Sequence, residues 1–388
     1  MIRRHSNMRV IARALSVATV AMLMARSATA QNRYQQHNLV SDIPGLADFL
    51  DPSLKNPWGI SSSTTSPFWI SNAGTGTSTV YNTLGVKQRS VTIPTVGDPP
   101  SSPTGQVFNS AGAFALTPGT GSNAVFLFAT EDGTIAGWNP TVNAASALTM
   151  VDNSPSGAIY KGLAISGSGA SARLYGANFH AGTVDVWDGS FTQLFGGFVD
   201  PALPAGYAPF NVQNIGGNIF VAYAKQDALQ EDEVAGPGFG YVSMFDPLGA
   251  FLGRFASGGA LNAPWGLALA PLSFGAFGGD LLVGNFGDGR INAFDPVTGL
   301  FQGALARADG TPLEIDGLWG LIFGNGGNGG DPNTLYFTAG VDDESHGLFG
   351  SIATVAVVPT PEPNSVMLLA TGLIGLVGVT HRSRRRIG

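Results

Sequence analysis

Oxygen-bearing side chains recur at the ends of short apolar runs, and these are the residues of the chain whose types could do chemistry. Asn56, Asn262 and Asp316 each stand just before an apolar run. Asn72, Glu131, Asp132, His180, Asp227, Asp288, Asp342, Asp343, Glu344 and His346 stand in turns that follow. Gathered on one face, such carboxylates and amides would suit a hard cation such as calcium. The simpler account is that Asp, Asn and Gly occupy turns for backbone reasons. His180 and His346 could each act as base or ligand, although a solvated turn histidine needs no such role. A metal-dependent lyase or lactonase would require His180, Asp288 and His346 to converge.

Three tryptophans, Trp58, Trp265 and Trp319, each precede a glycine at matching places. Their faces could stack on a sugar ring at a channel mouth, or they could wedge into the core. A longer turn, 226–238, carries Asp227, Glu231, Asp232 and Glu233 and reads as a solvated flap that could cover a pocket. Other chemistries are absent from the chain. There is no cysteine, hence no thiol nucleophile, Cys-ligated zinc or iron–sulfur cluster. Neither G-x-S-x-G nor H-E-x-x-H occurs. The run GNFGDGR at 284–290 opens a strand rather than a helix, so no helix N-terminus faces a phosphate there. No catalytic group and no resident cofactor follow from these residues.

The elements that must position them repeat. One apolar element starts each unit: NPWGIS at 56–61, GAFALT at 112–117, KGLAIS at 161–166, PFNVQN at 209–214, PWGLAL at 264–269 and LWGLIF at 318–323. Taking Gly59, Ala113, Gly162, Asn211, Gly266 and Gly320 as equivalent gives spacings of 49 to 55 residues. Each element is followed by a strand, a polar turn and a second strand. Four of the second strands end at Asn139, Asp188, Asp246 and Asp295 before Pro or Gly, which starts a turn. Short strands that are apolar on both faces must be covered on both faces, and closing the sheets into a ring does this. The expected fold is all-β, a six-bladed β-propeller. The stretch YQQHNLVSD at 34–42 reads as an extra strand that completes the blade built from 318–357.

Charge is uneven. Residues 31–361 hold 10 Lys+Arg and 25 Asp+Glu, a formal charge of −15. Such a surface repels phosphate backbones, which excludes nucleic acid as a partner class. The first 30 residues carry five Arg and no acid, then the apolar ALSVATVAMLMA and an A-x-A site at Ala28 and Ala30. This is the pattern of a cleaved export signal. Residues 358–388 hold a Pro-rich segment with Val358, Pro359, Pro361, Glu362 and Pro363, an apolar run from Val366 to Thr380, and HRSRRR. The run reads as a transmembrane helix with its basic tail left inside the cell.

The ordered triple of Pro-Glu-Pro, apolar run and basic tail resembles the PEP-CTERM sorting signal. That resemblance implies processing by an exosortase-type enzyme in bacteria that make exopolysaccharide. It implies a membrane-anchored stage, then release to the cell surface or extracellular space. The middle of the chain resembles NHL-type repeats, with second strands ending in F/W-D-P. From about 35 to 356 it resembles an uncharacterised bacterial family of exported propellers. The resemblance rests on NPWGI, YAKQD, GYVSMFDPLG, LNAPWGLALAP, LLVGNFGDGRINAFDP, DGLWGL and LYFTAGVDDESHGLFG. It brings no activity with it. The expected organisation is a signal peptide at 1–30, a propeller at 31–357 and a sorting tail at 358–388. The propeller would bind an extracellular polysaccharide or a surface protein, or would form part of a structural coat.

Overall fold

The computed structural model describes residues 33–117 and 122–355. The expected export signal with Ala28 and Ala30, and the tail with Val358, Pro359, Pro361, Glu362 and Pro363, lie outside the described residues. So does the expected transmembrane helix. Among the described residues no helix is long and apolar enough to cross a membrane.

Six sheets form a ring of blades, antiparallel except that Phe49–Leu50 runs parallel to Tyr34–Ser41 at the outer edge of the sixth. Blade 1 runs outward from the axis as Pro57–Ser61, Phe68–Asn72, Thr77–Tyr81 and Lys87–Thr92. Blade 2 is Pro103–Phe108, Phe126–Thr130, Thr134–Trp138 and Leu148–Asp152. Blade 3 is Tyr160–Ser166, Arg173–Asn178, Thr183–Asp188 and Gln193–Leu194. Blade 4 is Tyr207–Ile215, Asn218–Lys225, Tyr241–Phe245 and Phe251–Ser257. Blade 5 is Pro264–Leu269, Leu281–Asn285, Ile291–Phe294 and Phe301–Ala304. Blade 6 is Leu318–Phe323, Leu335–Ala339 and Leu348–Thr354, completed by Tyr34–Ser41 from the other end of the chain. That last pairing runs antiparallel from Tyr34 opposite Thr354 to Ser41 opposite Leu348. The expected closure by the N-terminal strand is therefore present.

One repeat assignment is corrected. The inner strand of blade 2 is Pro103–Phe108, and GAFALT at 112–117 lies in the connection that follows it. Gly105, not Ala113, therefore takes the axial place. The reason is steric: inner strands converge on the axis, and a side chain there would strike the next blade. A Cβ on Gly59 would stand 2.5 Å from Thr104 O, one on Gly105 would collide with Leu163 N, and one on Gly320 would stand 2.7 Å from Trp58 O. Ala113 lies off the axis in the connection, where its methyl packs close to Gly189.

Packing follows from this arrangement. Each pair of neighbouring blades encloses its own apolar cluster. Trp69, Phe126, Phe128 and Trp138 fill the gap between blades 1 and 2, and Phe274, Phe277, Leu318 and Phe337 fill that between 5 and 6. A fully buried Phe or Leu side chain stabilises by roughly 1.5–3 kcal/mol. With such clusters between all neighbours, no disulfide is needed to hold the ring.

Candidate functional site

The residue that immediately precedes the axial glycine, or Asn211 in blade 4, holds one register position near the axis in every blade. Around the axis these are Trp58, Thr104, Lys161, Phe210, Trp265 and Trp319. Four of the six are aromatic, and they meet across the axis. Trp58 stacks on Trp319 at 3.5 Å between ring centroids, and meets Trp265 edge-on at 6.2 Å. Trp265 Nε1 donates to the Lys161 carbonyl at 3.1 Å, joining blade 5 to blade 3. The three tryptophans are thus buried in one core cluster with Phe179, Phe210 and Ala263. Their faces are turned to each other rather than to solvent. Below them the axis leaves a cavity of about 40 Å³, lined by Gly59, Gly105, Asn211 and Gly320. That is room for a water, not for an organic ligand.

Lys161 is the charged member of this ring, and it is 1% exposed. Its Nζ lies 2.5 Å from Glu131 Oε1, on the turn of blade 2, and 3.0 Å from Asp232 Oδ1, on the flap of blade 4. It also sits 5.2 Å from the Trp58 ring centroid and 5.7 Å from that of Phe179, within cation–π range. Glu344, from the corresponding turn of blade 6, is held by Asn56, whose Nδ2 donates to Glu344 Oε2 at 2.5 Å. Burial alone would depress the Lys161 pKa, but the charges of Glu131, Glu233 and Asp232 overcome it and hold the amine protonated above the ordinary lysine range. This amine is a fixed cation, not a base or nucleophile. The surplus of carboxylates shows in their own upward shifts. Burial first, then the nearby charges of Glu344 and Asp232, push Glu233 up to about 7 despite Lys161. Glu344 is raised too, by burial and by Glu131.

The backbone around this cluster is strained. Asn56, Asp342, Asp343 and Glu344 all have positive φ, at 43°, 57°, 49° and 62°. Such conformations cost non-glycine residues about 1 kcal/mol or more each and persist only where packing enforces them. Two indole nitrogens, Trp58 Nε1 and Trp319 Nε1, and the Asn56 Oδ1 are buried without a hydrogen-bond partner among the described residues.

The remaining residues marked by sequence are placed as follows. Asn72 is buried and donates to Thr77 Oγ1 and Thr79 Oγ1, within its own hairpin. Asp132 accepts from Ser101 Oγ at 2.6 Å, and Asp288 accepts from Asn285 Nδ2 at 3.0 Å. Asp227 accepts the flap's own backbone N–H of Glu231. Asn262 Oδ1 accepts from Gly236 N, which ties down the far end of the flap. Asp316 accepts from Asp342 N. His180 lies beside Gly157, and His346 Nδ1 pairs at 2.9 Å with Oδ2 of Asp42, the residue after the closing strand of blade 6. Asp288 and His346 thus have separate local partners, and the buried His180 Nδ1 has no hydrogen-bond partner among the described residues. Among the described residues no group of three or more His, Asp and Glu could hold a metal ion. The convergence required by the metal-dependent lyase reading does not occur.

Of the expected face, the structure gathers Asn56, Glu131 and Glu344 with the flap's Asp232 and Glu233. Their centre, Lys161, was not singled out from sequence. In the alignment of KGL with PWG, LWG and PFN it stands as one cation in a mostly aromatic register. A second feature is an open groove of about 770 Å³ against the outer strand of blade 6 and the 307–316 loop, lined by Gln36, His37, Asp48, Arg307, Glu314 and Asp316.

Comparison with known proteins adds three findings. The model of the PEP-CTERM protein-sorting motif matches residues 359–385. Two uncharacterized proteins of Acanthamoeba polyphaga mimivirus are similar to this chain. One is 38% identical over 330 residues, covering 82% of this chain and 80% of the relative. The other is 36% identical over 330 residues, covering 82% and 86%. Among solved structures, a streptogramin B lyase is 11% identical over 83% of this chain and 97% of its own, with a TM-score of 0.48, too distant to bear on activity.

Proposed function

The chain belongs to the same family as these uncharacterized mimivirus proteins, and from that premise we propose that it is an exported interaction module, delivered to the cell surface through its C-terminal sorting motif. The observation that carries this reading is the PEP-CTERM motif at 359–385, which implies an exported, surface-directed protein and an exosortase-type processing enzyme. Export would begin at the basic–apolar segment 1–30, with cleavage after Ala30. The run 366–380 would hold the chain in the membrane until the tail is cut.

The propeller supports binding rather than turnover on physical grounds. Its axial cation is locked in ion pairs, and its aromatic ring is closed on itself. What it offers a partner is a rigid disc with a strongly acidic surface. The proposed partner is a component of the extracellular layer that is not acidic, either a polysaccharide or a surface protein, because an acidic one would be repelled.

The test expresses the full chain in a host with and without an exosortase-type enzyme, beside a variant carrying Pro361→Ala, Glu362→Ala and Pro363→Ala. The expected result is loss of the tail, read by mass, only in the wild type and only with the enzyme. Identical size and fractionation in all conditions would overturn the reading.

A further inference from the structure

In three blades the turn from third to fourth strand carries exposed aliphatic side chains at its tip. Leu84 is 67% exposed, Leu248 75%, Val297 89% and Leu300 64%. The folding of these turns does not need them. Asn82 Oδ1 accepts from Leu84 N and Val86 N, Asp246 Oδ1 from Leu248 N and Ala250 N, and Asp295 Oδ1 from Val297 N and Thr298 N. The turns are made by the polar side chain and the backbone. An aliphatic side chain exposed singly, such as Leu229, needs no partner, whereas four on one rim mark a candidate contact surface.

Blade 6 has no such turn. Its third strand ends at Thr354, its fourth is supplied by Tyr34–Ser41, and the chain leaves at Val355 where the other blades turn. The register fixes which rim this is. Leu318, Ala339 and Leu348 lie in one row at the tryptophan end of the blade, and Phe323, Leu335 and Ile352 in a row at the other. The chain therefore leaves by the rim that carries Leu84, Leu248, Val297 and Leu300, opposite the rim of Lys161 and the flap.

We infer that this rim rests on the membrane surface, its aliphatic turn tips entering the interfacial layer, while the C-terminal segment holds the chain there. The inference rests on the sorting-tail reading above. Val366, where the apolar run begins, follows Val355 by 11 residues, a reach of at most about 40 Å. So short a tether keeps the exit rim close to the bilayer. The contact is hydrophobic rather than electrostatic, because a domain of charge −15 gains nothing from anionic lipid. The same charge opposes a second copy as the covering partner.

The chain has no cysteine, so one introduced thiol carries the only label. Full chains with Leu248→Cys or Val297→Cys, each bearing an environment-sensitive dye, are reconstituted into phosphatidylcholine vesicles. A Leu229→Cys chain is the control. Leu229 is 67% exposed on the flap, at the opposite rim. The expected result is blue-shifted emission at the rim positions, with at least twofold quenching by nitroxide lipids, and neither change at 229. Rim dyes that behave like the 229 dye in chains that still float with the vesicles would overturn the inference alone. Chains that do not float would overturn the tail reading, and this inference with it. A blue shift that nitroxide lipids leave unquenched, and that grows with protein density, would assign the rim to contact between copies and also overturn it.

Discussion

Lys161 and Glu131 face each other across the gap between blades 3 and 2, with Nζ and Oε1 2.5 Å apart. This pair, with Asp232 from blade 4 on the same amine, fastens three blades at one buried cation. Four carboxylates surround one ammonium, so the cluster is held together and overcharged at once.

Lys161→Met keeps the volume and removes the charge, leaving Glu131, Glu233 and Glu344 facing each other without a cation. Removing one partner of a buried pair costs about 3–5 kcal/mol. The lower part of that range is expected, since Asp232 is largely in solvent. Denaturant unfolding at pH 8 measures it. A change below about 1 kcal/mol would show that the pair holds nothing.

Glu233 gives a pH dependence of defined sign. Its folded pKa, about 7, is above the ordinary value of 4.5. The folded state thus binds the proton more tightly than the unfolded one. Its stabilising contribution is complete below about pH 4.5 and lost as pH rises towards and through 7, by no more than about 3 kcal/mol. Unfolding free energies from pH 4.5 to 8, compared between wild type and Glu233→Gln, should differ in slope by up to one proton. Equal slopes would mean that Glu233 titrates as it does in water.

Tyr34 anchors the closing strand. Its hydroxyl donates to Phe274 O at 3.1 Å, and its ring packs 4.8 Å from that of Phe274. Tyr34→Ala should cost about 3–5 kcal/mol, and Tyr34→Phe only about 1. With the alanine variant, limited proteolysis should first release the segment before Pro57. Cleavage that starts in another blade would place the weak seam elsewhere.

Gly105 and Ala113 exchange roles between the sequence reading and the structure. Gly105→Ala drives a methyl into Leu163 N of the next blade and should cost about 1–3 kcal/mol or more. Ala113→Ser, in the connection, should stay within about 1 kcal/mol. Thermal unfolding of the two variants separates the assignments, and the reverse order of stability would restore Ala113 to the axis.

Five of the six blades were legible because their inner strands share a bulky residue, a small one and then aliphatics, as in PWGI, PFNV, PWGL and LWGL. Blade 2 breaks the pattern at its bulky position. Thr104 stands there, bonded to the Tyr160 carbonyl, while GAFALT nearby imitates the motif without reaching the axis. The closing strand was legible because blade 6 is one strand short in sequence. The turn carboxylates were legible as a set, but only Glu131 and Glu344 reach the axis with the flap. Which turns lean inward depends on loop length and on left-handed residues such as Asp342 and Asp343, and neither is visible in residue type. Lys161 was hidden because a lone lysine in an apolar strand reads as an edge residue until its neighbours across the axis are known.

The segment that seals the ring is the first of the described strands to be synthesised, and its partner is the last. Ser41 and Gly347, bonded across that seam, are 306 residues apart in the chain. Throughout translation the opening strand has nowhere to go, and it must stay unpaired while five blades form beside it. Its composition suits that wait: YQQHN is polar enough to remain in water, and the apolar LV follows only at its end. Any shortage of the final blade, whether from early termination or from cutting too far into the tail, would strand the opening segment and spring the whole circle. The ring thereby proofreads its own full length.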